Sequence, residues 1–186
     1  RAWMFLLPMM LLLLSIESIV VVLGPWLQDE HGFSSGGITG IAFGLGVFEL
    51  VSSIAATRLT DRLGGWRSVM RGGALLMPAS LIFVVGHHTL AFGLVALALA
   101  TLGFEFAIIS SMSVATTLVE GAPAAGLGLM ISINTIGRSA GTALSTWLYD
   151  HHGATVAVGP VIATTIVATL ALSAGINSRR RPAPSA

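Results

Sequence analysis

Six stretches of this chain each run for about twenty residues or more with almost no charge. They lie at about Trp3–Leu23, Gly36–Thr57, Arg67–Val85, Leu90–Leu118, Ala124–Tyr149 and Ala154–Ile176. A helix that crosses a bilayer needs roughly 20 apolar residues. The runs are continuously apolar and do not alternate, which excludes the strands of a membrane β-barrel. Only 9% of the 186 residues are charged, against about 25% in a soluble domain. A surface so poor in charge does not stay in water. The 54% hydrophobic content excludes disorder, and a net charge of +1 leaves no field for gripping nucleic acid. There is no Cys, hence no disulfide framework and no thiolate chemistry. The expected fold class is therefore an all-α membrane protein of six transmembrane helices.

The connections are short and carry turn residues: Asp29–Gly32, Gly64-Gly65, Gly86–His88, Gly121–Pro123 and His151–Gly153. Helices and connections use up the whole chain. Arg1 stands where an initiator Met would, with apolar residues at once behind it; the expectation is a piece of a longer chain, with a cleaved signal peptide as the alternative. The charges orient the bundle. Six spans put both termini and the second and fourth connections on one side, which holds Arg1, Arg58, Arg62, Arg67, Arg71, Arg179, Arg180 and Arg181. The other side has no Arg, only Asp29, Glu30, Asp150 and all five His. Positive residues mark the cytoplasmic side, which predicts a multi-pass protein with both termini of this stretch cytoplasmic and residues 179–186 as a basic tail. Trp3, Trp26, Trp66, Trp147 and Tyr149 fall near predicted helix ends, where amphipathic rings sit at the membrane interface.

The sequence suggests a weak internal repeat, with chance likeness between apolar segments as the alternative. Glu17, in Leu-Ser-Ile-Glu17-Ser-Ile-Val-Val, and Glu105, in Leu-Gly-Phe-Glu105-Phe-Ala-Ile-Ile, are 88 residues apart. With one inserted residue the shift becomes 89, carrying Glu49 onto Arg138, Asp61 onto Asp150 and Gly64 onto Gly153. A repeat of three helices inserts its second copy upside down, giving two inverted three-helix repeats at about 1–86 and 87–178, an arrangement common in secondary transporters.

The second connection reads Thr57-Arg-Leu-Thr-Asp61-Arg62-Leu-Gly64-Gly65-Trp-Arg67. It resembles the major facilitator superfamily loop signature Gly-x-x-x-Asp-Arg-x-Gly-Arg/Lys, found between the second and third helices of each six-helix half. Asp61, Arg62 and Gly64 match. Thr57 replaces the leading Gly, and Gly65 replaces the closing basic residue, with Arg67 the nearest substitute. Leu23-Gly-Pro-Trp-Leu-Gln-Asp29, Gly137-Arg138-Ser-Ala-Gly141 and Trp147-Leu-Tyr-Asp150 also resemble the family's C-terminal half, and the overall look is similar to bacterial sugar- or drug-efflux permeases. The resemblance implies one half of a twelve-helix transporter in the inner membrane, with the N-terminal six-helix half absent or supplied by a second copy. It also implies that Asp61, Arg62, Gly64 and Arg67 form a loop that docks against a helix end of the opposite half and latches one access state. The same arginines suit setting topology and touching lipid phosphates.

Four charges lie inside the predicted spans: Glu17, Glu49, Glu105 and Arg138. A charge at a helix centre costs about 2.5–3.5 kcal/mol on insertion scales and marks function by default. Glu17, Glu105 and Glu49 are candidates for proton coupling or substrate binding. Arg138 cannot release its proton and serves as a fixed counter-ion or anion anchor, with Glu49 or Glu105 as the expected partner. Asn134, one turn before Arg138, adds hydrogen bonds to a substrate or to a neighbouring helix. Glu49 is expected about two turns from the cytoplasmic end of its span, where a structural role beside Arg58 competes. Gly36, Gly40 and Gly44, like Gly137 and Gly141, offer flat faces for close helix approach.

Other chemistries find little footing. Gly137-Arg-Ser139-Ala-Gly141 fits a serine-nucleophile pattern but lies mid-helix with no His in a later span. The pairs His87-His88 and His151-His152 read as polar connection ends, so no metal is assigned. The chain has no Lys, hence no phosphate-cradling Gly-x-x-x-x-Gly-Lys loop, and no cofactor is expected. The resulting expectation is a non-enzymatic permease moving a small organic solute by alternating access, with proton-coupled efflux of drug- or sugar-like compounds ahead of proton-coupled import. A non-transporting membrane scaffold is the alternative from another class. The expected partners are solute, protons, the lipid bilayer and the missing half.

Overall fold

In the computed structural model the described residues are 3–180, with side chains described through Ser173. Arg1, Arg179, Arg180 and Arg181 and the basic tail therefore fall outside the side chains described. Six helices follow one another: α1 (Trp3–Asp29), α2 (Ser35–Leu63), α3 (Gly65–Gly86), α4 (Leu90–Ala115), α5 (Pro123–His152) and α6 (Ala154–Arg180). Among the described residues there is no strand, as the uninterrupted apolar runs require. The protein is an all-α membrane protein.

The helices mostly extend past the sequence expectation. α1 continues through Pro25 to Asp29, and α2 through Arg58 and Asp61 to Leu63. Polar residues at a span's end cost nothing in the aqueous layer, so hydropathy alone places the ends too early. One consequence is a correction for Glu49. It stands at the middle of α2, not two turns from an end.

The breaks are tight and glycine-dependent. Gly64 has φ +82° and its amide donates to the Thr60 carbonyl, ending α2 one residue before α3 begins. Gly153 has φ +79° and donates to the Tyr149 carbonyl, separating α5 from α6 in the same way. This region of backbone space favours glycine.

α1 is the central element. It packs chiefly against α5 and α6, while α3 packs on α4 and α6, and α2 leans on α4. Phe5, Met9, Leu12, Ile16, Ile19 and Trp26 of α1 are all buried. Trp26 thus departs from the interfacial expectation. Its ring meets Phe83 edge-on with centroids 5.3 Å apart, and Gly93 of α4 supplies the space it occupies. Trp3 and Trp147 remain exposed.

Buried hydroxyls join helices where no water can. Ser15 of α1 meets Thr164 of α6 at 2.6 Å, Thr60 of α2 meets Ser110 of α4 at 2.6 Å, and Ser145 of α5 donates to the carbonyls of Ser18 and Ala157. Such bonds between membrane helices contribute roughly 0.6–2 kcal/mol each.

The two glycine stripes behave differently. Gly137 and Gly141 press the α5 backbone onto α1: a Cβ on Gly141 would lie 2.6 Å from the Leu14 carbonyl oxygen, and one on Gly137 would overlap that of Met10. Gly40 and Gly44 have nothing within contact distance, so the flat α2 face expected from sequence is not used inside this bundle. Of α2 only Ser52, Ala56 and Thr60 are buried.

Among the described residues five helices are long and apolar enough to cross a membrane. α5 is as long as any but carries Ser132, Asn134, Thr135, Arg138, Ser139, Thr142, Ser145 and Thr146. Of these Asn134 and Ser145 are buried, and the rest are exposed. Thr135, Arg138, Ser139, Thr142 and Thr146 repeat at the spacing of one helix face. A polar stripe is unsuited to lipid and marks a face that meets water or protein.

Gly137→Leu should therefore destabilise the bundle by about 1–3 kcal/mol or more through overpacking. Gly40→Ala should be neutral or stabilise slightly, since Ala is the better helix former. Thermal unfolding in detergent, followed by circular dichroism, checks both. Equal effects at the two positions would contradict the assignment of only α5 to close packing.

Candidate functional site

Two charged centres lie near the midpoints of the helices. The first joins α1 to α5. Because Gly137 and Gly141 let the α5 backbone touch α1, Arg138 between them reaches Glu17, and its Nε donates to Glu17 Oε1. Glu17 is buried and Arg138 largely exposed. This corrects the expected partnership of Arg138 with Glu49 or Glu105. Those acids sit on α2 and α4, and α5 touches α4 only slightly. A cavity of about 490 Å³ opens beside the pair, lined by Glu17, Thr135, Arg138, Ser139, Thr142 and Ala143. Arg138 uses Nε on Glu17, while its guanidinium fork carries five donors in all. A small solute entering the cavity meets a cation, a carboxylate and three hydroxyls.

The second centre joins α2 to α4. Glu105 is 5% exposed, and Ser53 donates its hydroxyl to Glu105 Oε2. Glu49, one turn before Ser53, is exposed on α2 and is the charged neighbour of Glu105. Two carboxylates near each other repel. Glu49 also edges a smaller, apolar cavity of about 190 Å³ between α1, α2 and α4, lined in part by Ile16, Ile19, Leu45 and Leu97.

The remaining candidates are placed as follows. Asn134 is buried, does not line the larger cavity, and its Oδ1 has no hydrogen-bond partner among the described residues. Asp61 and Arg62 lie exposed in the last turn of α2 instead of in a free loop. Arg67 is exposed in the first turn of α3. Gly64 forms the break between the two helices. Gly65 has a steric reason to lack a side chain: a Cβ there would lie 2.6 Å from Ser113 Oγ and 2.9 Å from Val114 Cγ2 of α4. Thr135 and Thr142 were not singled out from sequence, and Ser139 was weighed only as a nucleophile and set aside. Their shared helical face was the signal available.

These observations define a polytopic helical membrane protein with charged centres and an open cavity at mid-helix. The family model of the Major Facilitator Superfamily matches residues 1–146. The chain belongs to that superfamily, a family of membrane transporters and not of enzymes. A curated protein of Agrobacterium vitis named "Putative tartrate transporter" is 29% identical over 109 residues, which is 58% of this chain and 24% of that protein. The chain's matched stretch thus spans about a quarter of that relative. No solved structure matches the chain.

Two predictions follow from this geometry. Gly65→Arg, which restores the superfamily pattern, should destabilise the α3–α4 contact by about 1–3 kcal/mol, read as a lower midpoint of thermal unfolding. Arg138→Gln should cost more stability than Glu17→Gln, because it leaves the buried partner without its counter-ion. The double variant should lose less than the sum, with a coupling of about 0.5–3 kcal/mol. Additive losses would mean that the two groups act independently.

Proposed function

We propose that this chain is one six-helix half of a permease that moves a small organic solute by alternating access, driven by protons. The observation that carries the reading is the pair of charged centres at mid-helix: an ion pair beside a cavity, and two neighbouring glutamates on α4 and α2. Charges in this layer are costly and serve transport sites and proton relays. In this reading Arg138 with Glu17 contacts the solute, and Glu105 with Glu49 carries the proton.

Packing supports two inverted repeats, about 1–86 and 87–178. Exchanging α1 with α4, α2 with α5 and α3 with α6 turns the α1–α5 contact into α4–α2 and the α3–α4 contact into α6–α1, and leaves the α3–α6 contact in place. The exchange also carries Glu17 onto Glu105, Arg138 onto Glu49, and the break at Gly64 onto that at Gly153. The uncovered apolar face of α2 and the polar stripe of α5 support a second, N-terminal-type half facing them, on the same polypeptide or from another copy. The relative's greater length is in keeping with this. Asp61, Arg62 and Arg67, exposed and without an ion pair among the described residues, would find their docking helix there. With the Arg-bearing ends facing the cytoplasm, the chain belongs in the bacterial inner membrane.

Proton-coupled efflux of a drug- or sugar-like compound is the direction taken from the resemblance. A specific observation favours import of an organic acid as the second reading: Arg138 lines the cavity, an arginine suits a carboxylate, and the similar protein is named for tartrate.

Transport under an imposed pH gradient tests the proposal, in membrane vesicles carrying the chain with its facing half. Glu105→Gln should abolish gradient-driven movement of the solute. Asp61→Asn should impair transport while leaving the amount of inserted protein unchanged. Tartrate uptake with the gradient selects import, and loss of preloaded solute against it selects efflux. Unchanged transport in Glu17→Gln and Glu105→Gln would overturn the coupling, and no transport of any solute would leave a membrane scaffold.

A further inference from the structure

At the Arg-free end of the bundle, three side chains from two separate connections converge. Glu30 follows α1, and His87 and His88 lie between α3 and α4. Glu30 Oε2 is 2.8 Å from His87 Nδ1 and 3.6 Å from His88 Nδ1. One ligand atom from each residue falls within 4.8 Å of the other two.

His87 is held as a positioned ligand would be. It is 6% exposed. Its carbonyl accepts from Trp26 Nε1 at 3.1 Å and lies 3.1 Å from His31 Nε2. Its Nε2 is 2.9 Å from Thr155 Oγ1 of α6. Without a metal, Nδ1 donates to Glu30; with a metal bound, the Thr155 hydroxyl can accept the Nε2 proton, which leaves the Nδ1 lone pair for the ion. A second partner of this kind fixes the tautomer of a metal-ligating histidine. His88, 80% exposed at its side chain, is free to swing inward.

We propose that Glu30, His87 and His88 form a binding site for one divalent transition-metal ion of the zinc type. Two imidazole nitrogens and one carboxylate oxygen make a three-ligand set whose fourth position stays open to water. Imidazole ligands favour zinc, copper or nickel over magnesium or calcium. A tetrahedral ion with bonds near 2.0–2.1 Å sets its ligands roughly 3.3 Å apart, so a modest inward swing of His88 completes the set. The site lies about 20 Å along α1 from Glu17, well away from the solute cavity. An ion there ties the α1–α2 connection to the α3–α4 connection and clamps that end of the bundle.

Titration of the tag-free 186-residue chain in detergent with Zn2+, by calorimetry and thermal unfolding, tests the site. One equivalent should bind and raise the unfolding midpoint, and Mg2+ should do neither. His88→Ala removes an exposed ring and should weaken Zn2+ binding at least about tenfold, with the metal-free midpoint unchanged. Thr155→Val should weaken it by about 10–100-fold. The paired His151→Ala/His152→Ala variant should bind as the wild type does. Absence of saturable binding by the wild type, unchanged binding by His88→Ala, or loss confined to the His151/His152 variant would overturn the proposal.

Discussion

An ionised group in the apolar layer needs a partner within the same layer, and the bundle is arranged around that requirement. Glu17 is buried on the central helix, so some cation or donor has to reach it. Arg138 does so only because α5 lies against α1 with glycine on both sides of the arginine. Any side chain at Gly137 or Gly141 would lift α5 away and strand the carboxylate. Removing one partner from a buried pair costs more than never having had the pair. The small residues and the ion pair are therefore one device.

The same logic explains why α5 looks different from its neighbours. A helix that carries an arginine, a buried asparagine and five exposed hydroxyl residues has little to gain from lipid contact. Its polar residues divide cleanly, with Asn134 and Ser145 turned inward and the Thr135–Thr146 stripe turned outward. α2 has the opposite character. Phe43, Val47, Leu50, Val51 and Ile54 are exposed on it, and its mid-helix glycines Gly40, Gly44 and Gly46 touch nothing. Together the two helices leave a surface that is apolar on one flank and polar on the other. The cavity beside Glu17 opens on the polar flank.

Much of this was legible in the sequence, because the physics that sets it is local. Six apolar runs made six helices, and the turn residues at Gly64 and Gly153 fell where the backbone needed a positive φ. The four mid-membrane charges were found by the cost of burying them. What sequence could not supply was contact across the bundle. The expected partners of Arg138 came from its being the lone cation among three acids, and nothing in one dimension says that α5 packs on α1. Trp26 near a helix end read as interfacial, whereas Gly93, 67 residues further on, made a slot for it in the interior. Glu30 was passed over beside the histidines for the same reason, being 57 residues from His87.

The two mid-membrane centres occupy related places yet differ in chemistry. In each, a buried glutamate on a central helix, α1 or α4, meets a charged side chain from a peripheral one, α5 or α2. Where that side chain is Arg138, the pair holds its charges permanently, because the guanidinium cannot release its proton. Where it is Glu49, both side chains are acids, and like charges repel. One position thus attracts the buried glutamate and the other opposes it, although both lie at mid-helix. The difference rests on the sign of one side chain, while the helix placement around it is shared.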